Sequence, residues 1–434
     1  MSRCPTDRRT LLKVGLAVPL TLQAESAAAD SSEGSVFGAE RLMADIRVYA
    51  QAGNKQSGGS GDAWTADWTR KRLAHAGLKV ELQSFDVPWF EPSHCVITFG
   101  HLKVPLVVQP LAVETGAAGL DGPLRLSEFD GPLNGTIAVV RLPYRRWSSL
   151  ADHDAREPLA DALTRGASAV ILVTTGPTGE ALLLNTPADR FVSERPLALL
   201  APRLAGPVIE AARHGVAANL ILRDQGGTRT AHNVIGRLIR PRRPWLVVST
   251  PRSGWTDCVG ERGPGIAIWL ALSEWMPRAF PQHSLLFLCN SGHEYENLGA
   301  GQIIRNVGPP PRETDFWLHL GANAAGRDYH ETPGRLLPLP SADPYRFILT
   351  SPEFVARARE TFKGQPGIEM AYPSAEGTAG ELSEVIKAGY SRHAGIFGAH
   401  RHHHAATDDL STVTPDPLAA TARGFRDLLT AIVP

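Results

Sequence analysis

Apolar residues along Glu40 to Ala50 and Ala63 to Ala76 recur at helical spacing, which predicts two amphipathic helices, the second closed by Gly77. Between them, Gln56-Ser57-Gly58-Gly59-Ser60-Gly61-Asp62 reads as a glycine-rich turn. Leu78 to Val87 alternates as a strand does. From about residue 96 the pattern breaks into short β-rich pieces, at 104–111, 136–142 and 169–173, interrupted by helices at 159–165 and 207–214. From His232 onward, strands and helices alternate: strands at 233–239, 245–249, 284–289 and 316–320, a helix at 266–275, and a closing helix at 418–432. Such alternation predicts an α/β fold, with a mostly parallel sheet covered by helices on both faces, plus a β-rich inserted domain.

The N-terminus stands apart from this pattern. Arg8-Arg9, the short apolar run Val14 to Leu22 and the small residues Ala27-Ala28-Ala29 make residues 1–29 read as an export signal of twin-arginine type, the alternative being an ordinary secretory signal that carries two arginines. The expected location is the periplasm or the medium, and that route suits a protein folded with its metal before crossing. No later stretch approaches the ~20 uninterrupted apolar residues that a membrane span needs. Lys plus Arg and Asp plus Glu both number 44, so no global charge points to nucleic acid or to an anionic membrane. Beyond the signal, Cys95, Cys258 and Cys289 form neither a disulfide framework nor a cysteine-based zinc motif, and Cys289 reads as core.

In parallel sheets, reactive groups gather on the loops after the strands. Three such loops are rich in polar residues: Thr250-Pro251-Arg252-Ser253-Gly254 leading to Gly260-Glu261-Arg262-Gly263-Pro264-Gly265; Ser291-Gly292-His293-Glu294; and His400-Arg401-His402-His403-His404 ending at Asp408. With these motifs in this order, the chain resembles the zinc aminopeptidases, whose fold the glutaminyl cyclases share. The resemblance covers residues 36–95 and 231–434, a discontinuous catalytic domain. Residues 96–230 resemble the protease-associated insert of that family, through Leu133-Asn134-Gly135-Thr136-Ile137-Ala138-Val139-Val140 and Gly166-Ala167-Ser168-Ala169-Val170.

The resemblance implies two metals held by five side chains, and the chain departs from it in a particular way. Thr250 and Gly321 stand where the two ligands private to the first metal are expected. Glu261 stands for the bridging carboxylate, Glu294 for the glutamate of the second metal and His404 for the terminal histidine. The losses empty one site and spare the other, and three such ligands are a normal complement for a catalytic zinc. One zinc per chain, on Glu261, Glu294 and His404, is therefore expected; the alternative is a metal-free relic. His293 takes the place of the carboxylate that deprotonates water, and would act as base or join the metal as a fourth ligand. Arg252 and Arg262, beside the vacated position, would anchor a substrate carboxylate or else bridge nearby acids such as Asp257 or Glu261. Glu381 falls where the family keeps an acidic helper. His319 and Asn323 flank Gly321 as possible replacement ligands, and His400, His402 and His403 read as a solvated loop.

The function expected is metal-assisted hydrolysis of an amide or peptide bond in a small, peptide or oligomeric anionic substrate, with His293 as base. Elimination or cyclisation on an anionic substrate is the second class, and a non-catalytic binding protein the third. No nucleophile elbow and no phosphate-binding loop motif occurs.

Overall fold

The computed structural model describes residues 36–111, 113–190, 192–332 and 334–433; the export signal lies outside them. In chain order the strands are β1 (Lys79–Phe99), β2 (Leu102–Pro105), β3 (Val107–Val108), β4 (Leu120–Leu126), β5 (Ile137–Arg141), β6 (Ala169–Val173), β7 (Leu197–Leu200) and β8 (Ala217–Leu238). They continue as β9 (Trp245–Pro251), β10 (Ser284–Asn290), β11 (Thr314–Leu320), β12 (Arg327–Thr332), β13 (Arg335–Ala342), β14 (Arg346–Thr350), β15 (Ala371–Pro373) and β16 (His393–Gly398). The helices are α1 (Ala39–Ala50), α2 (Ser60–His75), α3 (His153–Thr164), α4 (Ala205–Arg213), α5 (Val259–Ala279), α6 (Leu298–Asn306), α7 (Val355–Thr361), α8 (Leu382–Lys387) and α9 (Pro415–Ile432).

The central sheet runs β15-β14-β16-β11-β9-β10-β8. Its middle, β10-β9-β11-β16, is parallel, and antiparallel β8 and β14 flank it. Alternate residues of each buried strand serve opposite faces. Leu246, Val248, Leu285 and Phe287 pack with helices α1, α5 and α9, whereas Val247, Leu286 and Leu288 pack with Ile303 of α6 and Val385 of α8. Helices therefore cover both faces, as the alternation of segments requires. On the far side of β8 the sheet continues through β4-β5-β6-β7-β3. The long strands β1 and β8 pair along most of their length and run through positions 95/96 and 230/231, where the composition changes.

Helix α5 begins at Val259, seven residues before the expected start at Ile266, so Glu261 and Arg262 stand in its first turn rather than on a loop. Glycine and proline are ordinarily breakers, but here they permit close packing. A β-carbon at Gly263 would press on Ile46 of α1 at 3.2 Å, and one at Gly265 would lie 3.1 Å from the Leu320 carbonyl oxygen. The helix is capped from a distant part of the chain: Asp408 accepts the Gly260 N–H at 2.7 Å and the Glu261 N–H at 3.0 Å. Cys258, in the N-cap position, has φ +51 and makes no side-chain cap. Asp408 thus fixes the turn that carries Glu261. Asp408→Ala is expected to cost about 2 kcal/mol, read as a lower urea midpoint at unchanged m; an unmoved midpoint would show that the cap is idle.

Candidate functional site

The four parallel strands deliver the polar loops to one end of the sheet. Arg252 and Ser253 follow β9, Ser291 to Glu294 follow β10, Gly321 follows β11, and His400 to His404 follow β16. At their meeting point Glu261, His403 and His404 each offer one ligand atom, all within 4.8 Å of one another. Glu261 Oε1 is 3.5 Å from His404 Nε2 and 3.8 Å from His403 Nδ1. The glutamate is 0% exposed and neither of its oxygens has a hydrogen-bond partner. Nδ1 of His404 donates to the Leu183 carbonyl at 2.6 Å, which leaves Nε2 as a bare lone pair. His403 is held through Nε2 to Ser148 Oγ at 3.2 Å, and its Nδ1 is unpartnered. Two imidazoles and a carboxylate, buried and otherwise unsatisfied, form a donor set that suits zinc.

The cation nearest this group is Arg262. Its Nη2 lies 2.6 Å from Glu261 Oε1 but off the line of a hydrogen bond, so the contact is ionic. Burial alone would raise the Glu261 carboxyl; Arg262, His403 and His404 outweigh it and hold it well below the usual carboxylate range. Burial, reinforced by His404, keeps His403 far below the ordinary histidine value and therefore neutral.

The third donor of this cluster is His403, not Glu294. The Glu294 carboxylate is buried and engaged: Oε1 accepts from Ser57 N at 2.9 Å and Ser57 Oγ at 2.6 Å, and Oε2 accepts from Ser253 Oγ at 2.7 Å. Nor are the histidines before His404 a solvated loop, since His400 and His403 are buried and His400 Nε2 lies 3.4 Å from Asp408. The adjacent His403-His404 pair was visible in the sequence; its burial was not.

Arg252 is a strut rather than a substrate anchor. It is 0% exposed, pairs with Asp62 at 3.0 Å, and donates to the carbonyls of Cys289 at 2.8 Å and of His232. Asp62 in turn accepts from Gly58 N and Ser291 Oγ. Thr250 and Gly321, where the resemblance would have placed ligands of a first metal, are otherwise engaged. Thr250 Oγ1 donates to the Leu320 carbonyl at 2.8 Å, and a β-carbon at Gly321 would sit 2.5 Å from the Ile396 oxygen. Asn323 does not replace a ligand either: its amide donates to the Tyr345 carbonyl and its oxygen accepts from Gly326 N.

A cavity of about 230 Å³ opens beside the cluster, lined by Arg262, His293, His319, Gly321 and His403, with Arg145, Arg146 and Ser148 contributed from the region before α3. Nδ1 of His293 lies 3.3 Å from Glu381 Oε1, and Asn290 donates to the other Glu381 oxygen at 2.8 Å. Although burial favours the neutral acid, the hydrogen bond and charge of His293 keep the Glu381 carboxyl below its ordinary value. A carboxylate only accepts, so Nδ1 carries the proton and Nε2 of the neutral ring is a base. His319, 1% exposed, is buried in the same wall.

Two outcomes follow. Arg252→Met should lower stability by about 3–5 kcal/mol, because Asp62 is left charged and buried; near-wild-type stability in denaturant would contradict the strut. For His319, burial, helped by His293 and Arg262 and opposed by Glu381, pushes the pKa down to about 4. Between that value and 6.5 the unfolded chain takes up a proton that the folded chain refuses, so stability falls as pH drops through this window. The loss should reach about 3 kcal/mol and be missing from His319→Gln; identical pH profiles of the two unfolding curves would refute it.

Among solved structures, the chain resembles a zinc aminopeptidase from Bacillus subtilis at 15% identity and a TM-score of 0.69, covering 92% of this chain and 94% of that one. A peptidase M28 precursor from Shewanella amazonensis SB2B gives 17% identity and 0.68, over 94% and 96% of the two chains. An aminopeptidase from Aneurinibacillus sp. strain AM-1 gives 15% and 0.63, over 91% and 94%. No protein-family model and no curated protein matches the sequence. From one end of the described chain to the other, the architecture is the zinc aminopeptidase fold.

Proposed function

We propose that this chain is an exported, single-zinc hydrolase of an amide or peptide bond in a carboxylate-bearing substrate. The observation that carries the reading is the Glu261 carboxylate, buried, without a hydrogen bond, and faced by two imidazole nitrogens. Glu261, His403 and His404 would hold the ion. Bound there, zinc supplies Lewis acidity toward a carbonyl oxygen and toward water.

The chain's own residues supply the rest. His293, oriented by Glu381, takes a proton from water as the oxygen attacks the carbonyl carbon, and returns it to the nitrogen as the C–N bond breaks. Arg262 lies in the same wall and offers charge to an anionic group. Export is supported by the paired arginines and small-residue run at the N-terminus; among the described residues no helix is long and apolar enough to cross a membrane.

Elemental analysis of the mature chain, purified without chelator, should find about one zinc. Two tightly held ions, or none, would overturn the reading. His403→Ala and Glu261→Gln should lose the metal, whereas Glu294→Gln should keep it; the reverse would restore Glu294 as the ligand. His293→Ala should retain zinc and lose about 10²–10⁴ in kcat. An unsaturated, ultraviolet-absorbing product in place of a free amine would replace hydrolysis with elimination.

A further inference from the structure

We infer that His319 and Arg262 form a carboxylate-binding subsite in which His319 is a neutral hydrogen-bond donor through Nε2. The inference rests on the hydrolase reading only for the molecule that brings the carboxylate: a short substrate whose leaving amine carries it.

The tautomer follows from Ser249. Its Oγ accepts the indole N–H of Trp317 at 2.8 Å and lies 3.0 Å from His319 Nδ1. An indole nitrogen only donates, so among the described residues Nδ1 is the acceptor left for the serine's own proton. Nδ1 therefore accepts and the ring proton resides on Nε2. Phe397, stacked on the imidazole at 5.7 Å between centroids, holds the ring plane. Nε2 is buried and has no partner, and it is the one polar atom that His319 retains for the cavity it lines.

Burial keeps this imidazole neutral at ordinary pH, so it adds no second cation beside Arg262. The Arg262 guanidinium is 1% exposed, is tethered through Nε to the Ser253 carbonyl at 3.0 Å and lies ionically against Glu261 Oε1 at 2.6 Å, yet neither terminal nitrogen makes a hydrogen bond. Two sets of unsatisfied buried donors in one cavity call for a ligand rich in acceptors, and a carboxylate can take both. Arg145 and Arg146, by contrast, already donate hydrogen bonds, to Asp152 and Asp154 and to Asp343. A carboxylate held by His319 and Arg262 would share this small cavity with a candidate metal ligand, His403. An N-acyl amino acid, or the last residue of a short peptide, brings such a carboxylate.

The test uses isobutyrate and its neutral counterpart 3-methyl-2-butanone, neither of which can be hydrolysed. Calorimetric binding would be measured on the full mature chain, as purified and after chelation. His319→Phe should weaken isobutyrate by at least about tenfold in both preparations and leave the ketone unaffected. His319→Gln, which keeps an N–H donor, should recover most of the loss. Equal effects on acid and ketone, or no effect, would overturn the subsite. If the variants do not fold, nitrogen-15 spectra of the wild-type histidines decide: a proton on Nδ1 of His319 overturns the proposal and one on Nε2 supports it. Zinc content separates the two readings. His319-dependent isobutyrate binding without zinc leaves the subsite standing and removes the metal; one zinc per chain with His319-independent binding does the opposite.

Discussion

A carboxylate removed from water and given no hydrogen bond has to be compensated by charge, and the site is organised around that requirement at Glu261. The residue cannot move away, because it stands in the first turn of α5 with its own N–H held by Asp408. The N-terminal end of a helix favours a negative group, but that dipole is worth only a fraction of the cost of burial. Arg262, one residue on, therefore has to lie close, and the two imidazoles complete the shell. A dication on this carboxylate would take over the compensating role and leave the guanidinium free to act on a ligand.

The precision of this arrangement comes from charged groups that never meet substrate. Arg252 and Asp62 join the start of α2 to β8 at His232 and to the end of β10 at Cys289. Through Ser291 and Ser57 the same network reaches Glu294, whose other oxygen takes the Ser253 hydroxyl. Ser253 then supplies the carbonyl that tethers Arg262. Breaking such a chain leaves an unpaired charge in the interior, so its cost is paid in stability long before any effect on binding is read.

Much of the fold was legible because the parallel strands are fully buried and read as apolar runs; β6 was expected at the very residues where it occurs. The region from 327 to 398 was not, because its strands are short, mixed with proline and glycine, and partly exposed. The site was legible by position more than by role. The family resemblance put Glu261 and His404 in one ligand set and gave His293 and Glu381 active-site places; in the structure Glu261 and His404 meet, and His293 lies against Glu381. The resemblance could not show that Glu294 is consumed by two serines, or that Arg252 is walled off while Arg262 faces the cavity. Those distinctions depend on which way a side chain turns after the strand ends, and residues in adjacent positions end in opposite environments. His403 was missed for the same reason, since a run of histidines looks solvated until Leu183 and Ser148 are folded over it.

At Thr250 and Gly321, where two further ligands would be expected from the resemblance, the space is closed. Thr250 spends its hydroxyl on the backbone of β11, and the Ile396 carbonyl oxygen excludes any side chain at Gly321. An aspartate could not simply be placed at Gly321, because its β-carbon alone would clash. What remains on that side is an arginine, a neutral histidine fixed by Ser249 and a small cavity. Point charge from an ion acts equally in all directions, whereas a guanidinium and an imidazole N–H act along their bonds. Replacing the one by the other trades electrostatic strength for direction, and a site with directional donors discriminates between oxygen acceptors by geometry. On this ground, Arg262 and His319 would give the proposed site a direction-sensitive side beside the candidate metal ligands Glu261, His403 and His404.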